Sequence, residues 1–76
     1  MPLSKRESAR LKAFGANVRR ERTAKGLTQE KLAESANIST RNLQKVEAGQ
    51  LNILLTTTIR IQLALRCPWK RLMPSE

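Results

Sequence analysis

Apolar residues recur along this chain at intervals of three and four rather than two, in short runs closed by stop signals. Leu11, Phe14 and Val18 share one face of a first helix, with Lys12, Arg19 and Arg20 elsewhere on its wheel. With Gly26 as its stop, the pattern predicts a helix from about Ser8 to Lys25. Thr28 is an N-cap for a second helix whose inward residues are Leu32, Ala33 and Ala36, a span too short to persist without neighbours. Asn37, one of the few residues besides glycine that tolerate a left-handed backbone, then turns the chain. Ser39 caps a third helix, Thr40 to Ala48, which directs Leu43 and Val46 inward and Thr40, Arg41, Gln44 and Lys45 outward before Gly49. A loop from Gly49 to Leu54 leads to a fourth helix, about Leu55 to Arg66, and Pro68 opens a last turn carrying Trp69 and Leu72.

Residues 1–8 are polar, basic and aperiodic, so they read as a flexible arm before a single domain over residues 9–73. Such an arm serves as a solubilising tail or, with Lys5 and Arg6, reaches an adjacent minor groove. No strand pattern or repeat interrupts the helical periods. The expected fold class is therefore all-α, a compact bundle of four to five short helices.

The spacing in the middle of the chain is the most informative. With Gln29 as position one, apolar residues fall at four, eight, ten, fifteen and eighteen (Leu32, Ala36, Ile38, Leu43 and Val46), and small Ala33 stands at five. Two short helices crossing steeply require this arrangement: Ala33 permits close approach, Asn37 reverses the chain and Ile38 fills the wedge between them. The segment GLTQEKLAESANISTRNLQKVEAGQ resembles the helix-turn-helix of the Cro/lambda-repressor-like (XRE) transcription regulators, with the motif over residues 29–48. With the flanking helices the resemblance extends from about Phe14 to Met73. The departures are Asn37 in place of the usual turn glycine, Glu21 in place of a leucine, and Thr58 and Gln62 on the otherwise aliphatic face of the fourth helix.

The resemblance implies sequence-specific binding of double-stranded DNA, with the third helix in the major groove. It matches Arg22 and Glu47 to a structural ion pair, Gln29 to a phosphate contact, and Gln50 and Asn52 to backbone contacts in the following loop. A helix N-terminus favours an anion at Gln29 through its unpaired amides and dipole. Thr28, Ser39 and Asn42 would face the same strand when the motif docks. Thr40, Arg41, Gln44 and Lys45 are the base-reading candidates, because arginine pairs bidentately with guanine and glutamine with adenine. The alternative for each is a solvated helix face.

Composition narrows the partners further. The chain carries 15 Lys and Arg against 6 Asp and Glu, a formal charge of +9, which favours a polyanion through counterion release. Anionic membranes and RNA attract the same excess, so the argument for DNA rests on the motif. Histidine is absent and Cys67 is the single cysteine, which leaves no zinc site, no Cys–His nucleophile pair and no internal disulfide. The glutamates are isolated and no phosphate-binding glycine loop is present, so neither an enzyme nor a cofactor is expected. Cys67 reads as a small buried hydrophobe. No apolar run reaches membrane-spanning length, and the basic N-terminal region lacks a secretory h-region, so the expected location is cytoplasmic.

Leu55, Ile59, Ile61, Leu63 and Leu65 make the fourth helix apolar on more than one face, more than a chain this short can bury. A homodimer would cover the surplus around Leu63, Arg66 and Trp69 and pair two reading helices on a palindromic operator. The alternative places most of them in the monomer core, with Trp69 across the bottom. The layout suits a small repressor or a restriction–modification controller with no small-molecule effector. The competing class is an antitoxin-like interaction module that blocks a protein partner and binds DNA only secondarily.

Overall fold

A computed structural model describes residues 2–75. Five helices follow one another: α1 (Lys5–Ala24), α2 (Gln29–Ala36), α3 (Thr40–Glu47), α4 (Leu55–Leu65) and α5 (Trp69–Leu72). Among the described residues all regular structure is helical. α1 packs on α3 and α5, and α2 packs on α3 and α4, around a core whose fully buried side chains are Val18, Leu32, Leu43, Ile61, Leu65 and Leu72.

Three of the helix stops share one hydrogen-bond pattern. After α1 the Leu27 amide donates to the Arg22 carbonyl and Gly26 to Thr23. After α2 Ile38 donates to Ala33 and Asn37 to Glu34, and after α3 Gln50 donates to Lys45 and Gly49 to Val46. This is the Schellman arrangement, which needs one left-handed residue at each stop. Gly26 and Gly49 supply it at φ +71 and Asn37 at φ 57, so asparagine replaces the usual turn glycine with little strain. Ile38, half-buried, packs against the core beside that turn.

The first helix begins earlier than its apolar period indicates. Ser4 accepts a hydrogen bond from the Glu7 amide (3.0 Å) and Glu7 Oε1 accepts one from the Ser4 amide (2.9 Å), a capping box that starts α1 at Lys5. Lys5, Arg6 and Ser8, expected within a flexible arm over residues 1–8, are thus helical. The box pairs the Glu7 amide and the Ser4 amide, which supports a polar first turn there.

α4 buries Ile61 and Leu65 and leaves Leu55, Ile59 and Leu63 exposed. Its two polar departures are satisfied internally. The Thr58 hydroxyl donates to the Leu54 carbonyl (3.0 Å), and Gln62 Nε2 donates to the Cys67 carbonyl (2.8 Å), tying the end of α4 to the turn before α5. Cys67 is buried, and desolvation, reinforced by the Glu21 carboxylate, pushes its thiol pKa up.

Candidate nucleic-acid interface

The placement of α3 depends on one buried ion pair. Arg22 Nε and Nη2 meet the two carboxylate oxygens of Glu47 at 2.7 and 3.2 Å, a bidentate geometry, while Nη1 donates to the Leu27 carbonyl at 2.7 Å. The side chains are only 11% and 4% exposed. A charge pair this secluded is tolerable because each guanidinium nitrogen and both carboxylate oxygens have a hydrogen-bond partner. The same carboxylate also accepts from Gln29 Nε2 at 3.0 Å, and Gln29 Oε1 lies 3.5 Å from Gln44 Nε2. One glutamate at the end of α3 therefore gathers residues from α1, the start of α2 and the outer face of α3.

The two helix starts are capped in a way that leaves donors available. Thr28 Oγ1 accepts from the Lys31 amide (3.1 Å) and Ser39 Oγ from the Asn42 amide (3.0 Å). Each hydroxyl acts here as acceptor and keeps its own proton to donate outward. The first-turn amides of Gln29 and Glu30, and of Thr40 and Arg41, have no carbonyl within their helices to serve. Arg41, Asn42 and Gln44 are exposed and Thr40 and Lys45 half-buried, so the outer surface of α3 carries donors and acceptors and no large apolar group. Gln50 and Asn52 are exposed in the loop beyond it.

A helix-turn-helix family model matches residues 18–72, and the fold is similar to a solved restriction-modification controller protein, C.AhdI from Aeromonas hydrophila. That likeness has a TM-score of 0.81 and 37% sequence identity over 86% of this chain and 98% of the other. The chain belongs to the XRE-type helix-turn-helix family. It is a DNA-binding transcriptional regulator. Comparison with curated proteins returns no match.

This helix-turn-helix protein holds its last helix by a polar latch that sequence reasoning missed. Glu21, only 6% exposed where the family has leucine, is bound by Arg20 Nε at 3.2 Å and Arg71 Nη1 at 3.5 Å. Asn17 Nδ2 donates to the Leu72 carbonyl at 2.8 Å and Arg20 Nη2 to the Arg71 carbonyl at 2.6 Å, so α1 side chains take the carbonyls at the end of α5. The spacing of Asn17, Arg20 and Glu21 on one side of α1 was the available signal, but their partners lie some fifty residues on.

Leu63, Arg66 and Trp69 lie around the close of α4 and the start of α5. Leu63 is 65% and Trp69 39% exposed. Arg66 closes α4 in a left-handed conformation, φ 53. Leu63 and Arg66 help line a shallow depression of about 400 Å³ together with Ala36, Asn37, Arg60 and Ala64. No helix among the described residues is long and apolar enough to cross a membrane.

Proposed function

We propose that this regulator is a cytoplasmic, non-catalytic, sequence-specific operator-binding protein that works as a homodimer without a small-molecule effector. The observation that carries this reading is the exposed polar face of α3, flanked by two capped helix starts and held by the buried Arg22–Glu47 pair. α3 enters the major groove, where Arg41 and Thr40 read base edges with Gln44 and Lys45 beside them. Thr28, Gln29, Ser39 and Asn42 grip one strand through side-chain donors and unpaired helix amides, and Gln50 and Asn52 grip the backbone beyond.

The homodimer reading is supported by the exposed apolar surface at Leu63 and Trp69, next to Arg66. Two-fold pairing through this surface would set the two reading helices on half-sites one DNA turn, about 34 Å, apart. The controller protein to which the fold is similar supports the controller type over other small repressors.

Selection of bound sequences from a random duplex pool at physiological salt tests the reading. A palindromic consensus is the expected result. A pool in which no sequence is enriched overturns operator recognition, and a single unpaired half-site overturns the homodimer.

A further inference from the structure

α1 and the end of α3 touch backbone to backbone. A Cβ on Gly15 would collide with the Val46 carbonyl oxygen, and one on Gly49 would stand 2.5 Å from Lys12 Cγ and 2.7 Å from Lys12 Cα. Lys12 therefore lies across the start of the loop that carries Gln50 and Asn52. Further along the same helix Arg19 precedes Arg22 by one turn, and Arg22 shares Glu47 with Gln29. The Lys12–Arg19 segment of α1 thus connects the two groups assigned above to the DNA backbone.

Lys5, Lys12 and Arg19 recur every seven residues, which drifts only about 20° per repeat and sets them on one line roughly 21 Å long. All three are exposed, and among the described residues none is ion-paired, in contrast to Arg20, Arg22 and Arg71. The acids of α1 lie off this line: Glu7 is turned back onto Ser4 and Glu21 is buried under Arg20 and Arg71. A lysine near the C-terminal end of α3 also favours that helix dipole. This accounts for Lys12 alone and not for two more cations in register with it.

We propose that Lys5, Lys12 and Arg19 form a second, sequence-independent phosphate-binding line that continues the contacts of the Gln50–Asn52 loop along the DNA. The line rests on the docking reading above. It raises affinity for every duplex alike and holds the reading helix against the groove without selecting bases.

The test is the salt dependence of binding to the selected operator and to a random duplex. It compares the parent, the three single variants Lys5→Gln, Lys12→Gln and Arg19→Gln, and the triple variant. Each phosphate neutralised contributes about 0.9 to the slope of log Kobs against log salt. Each single variant is expected to lower the slope by about that amount and the triple variant by about 2.7, equally on both DNAs. The preference for operator over random duplex stays as in the parent. Glutamine is a good helix former at exposed positions, and unchanged thermal midpoints establish that the variants fold. A triple variant whose slope falls by less than about 1 overturns the line. Because the line is sequence-independent, the random duplex reports on it even if the parent shows no preference. Such a parent would overturn the operator reading instead.

Discussion

Replacing Glu47 by alanine removes the carboxylate that three elements share and leaves the Arg22 guanidinium with little access to water. Its side chain is only 11% exposed, and of its three hydrogen bonds only that to the Leu27 carbonyl survives. Truncating one partner of a buried, hydrogen-bonded pair costs about 3–5 kcal/mol. The residual access and the remaining bond place this case at the lower end, about 3 kcal/mol. A domain of this size has total stability of about 4–11 kcal/mol, so the loss is a large fraction of it. At about 4–8 °C per kcal/mol for a domain this small, the thermal midpoint is expected to fall by about 12–24 °C. Circular dichroism during thermal and urea unfolding reads this directly. Arg22→Met combined with Glu47→Leu, which replaces the pair by apolar groups, is expected to cost less than either truncation to alanine alone. The reasoning is refuted if Glu47→Ala and Arg22→Ala each cost under about 1 kcal/mol, or if their effects simply add, since partners in one buried network must couple.

Four further outcomes follow from other parts of the molecule. Arg41→Ala should lose about 1–3 kcal/mol of discrimination between operator and random DNA, whereas Gln29→Ala should weaken both alike; competition binding distinguishes them, and equal losses for Arg41→Ala would contradict its base-reading role. Gly26 and Gly15 should respond differently to alanine in urea titrations. Gly26→Ala meets open space and costs only its left-handed backbone, about 1–2 kcal/mol. Gly15→Ala, pressed into the Val46 and Glu47 carbonyls, should cost more and also weaken DNA binding by displacing α3. Leu63→Glu should render the protein monomeric in sedimentation, and the single tryptophan, Trp69, should shift its fluorescence to the blue in the parent as concentration rises and not in the variant. Cys67, buried and with its thiol pKa raised by desolvation, should react with iodoacetamide far more slowly than the unfolded chain does, its rate rising only above the pH range of an ordinary thiol.

Much of this architecture was readable from local rules. The turn at Asn37, the caps at Thr28 and Ser39 and the glycine stops at Gly26 and Gly49 each depend on bonds spanning no more than five residues, so local chemistry suffices to place them. The start of α1 was legible by the same logic in the Ser4-x-x-Glu7 spacing, but the apolar period begins later, at Leu11, and points to a later helix start. Glu21 was harder. A carboxylate on the inner face looks like a packing defect until Arg71, fifty residues on, is seen to meet it. Thr58 and Gln62 likewise dilute an apolar face on the wheel, although each bonds a nearby carbonyl in the fold.

By itself the sequence determined the helices, their caps, the tight turn and the excess of positive charge, because these follow from side-chain chemistry acting over one or two turns. Only the tertiary structure decided which charges are committed to the fold and which remain for a partner. Glu47 is engaged by Arg22 and Gln29, Glu21 by Arg20 and Arg71, and Lys12 is set beside Gly49 by the close crossing at Gly15. Pairings of this kind join residues far apart in the chain, and their geometry exists only once the helices have packed.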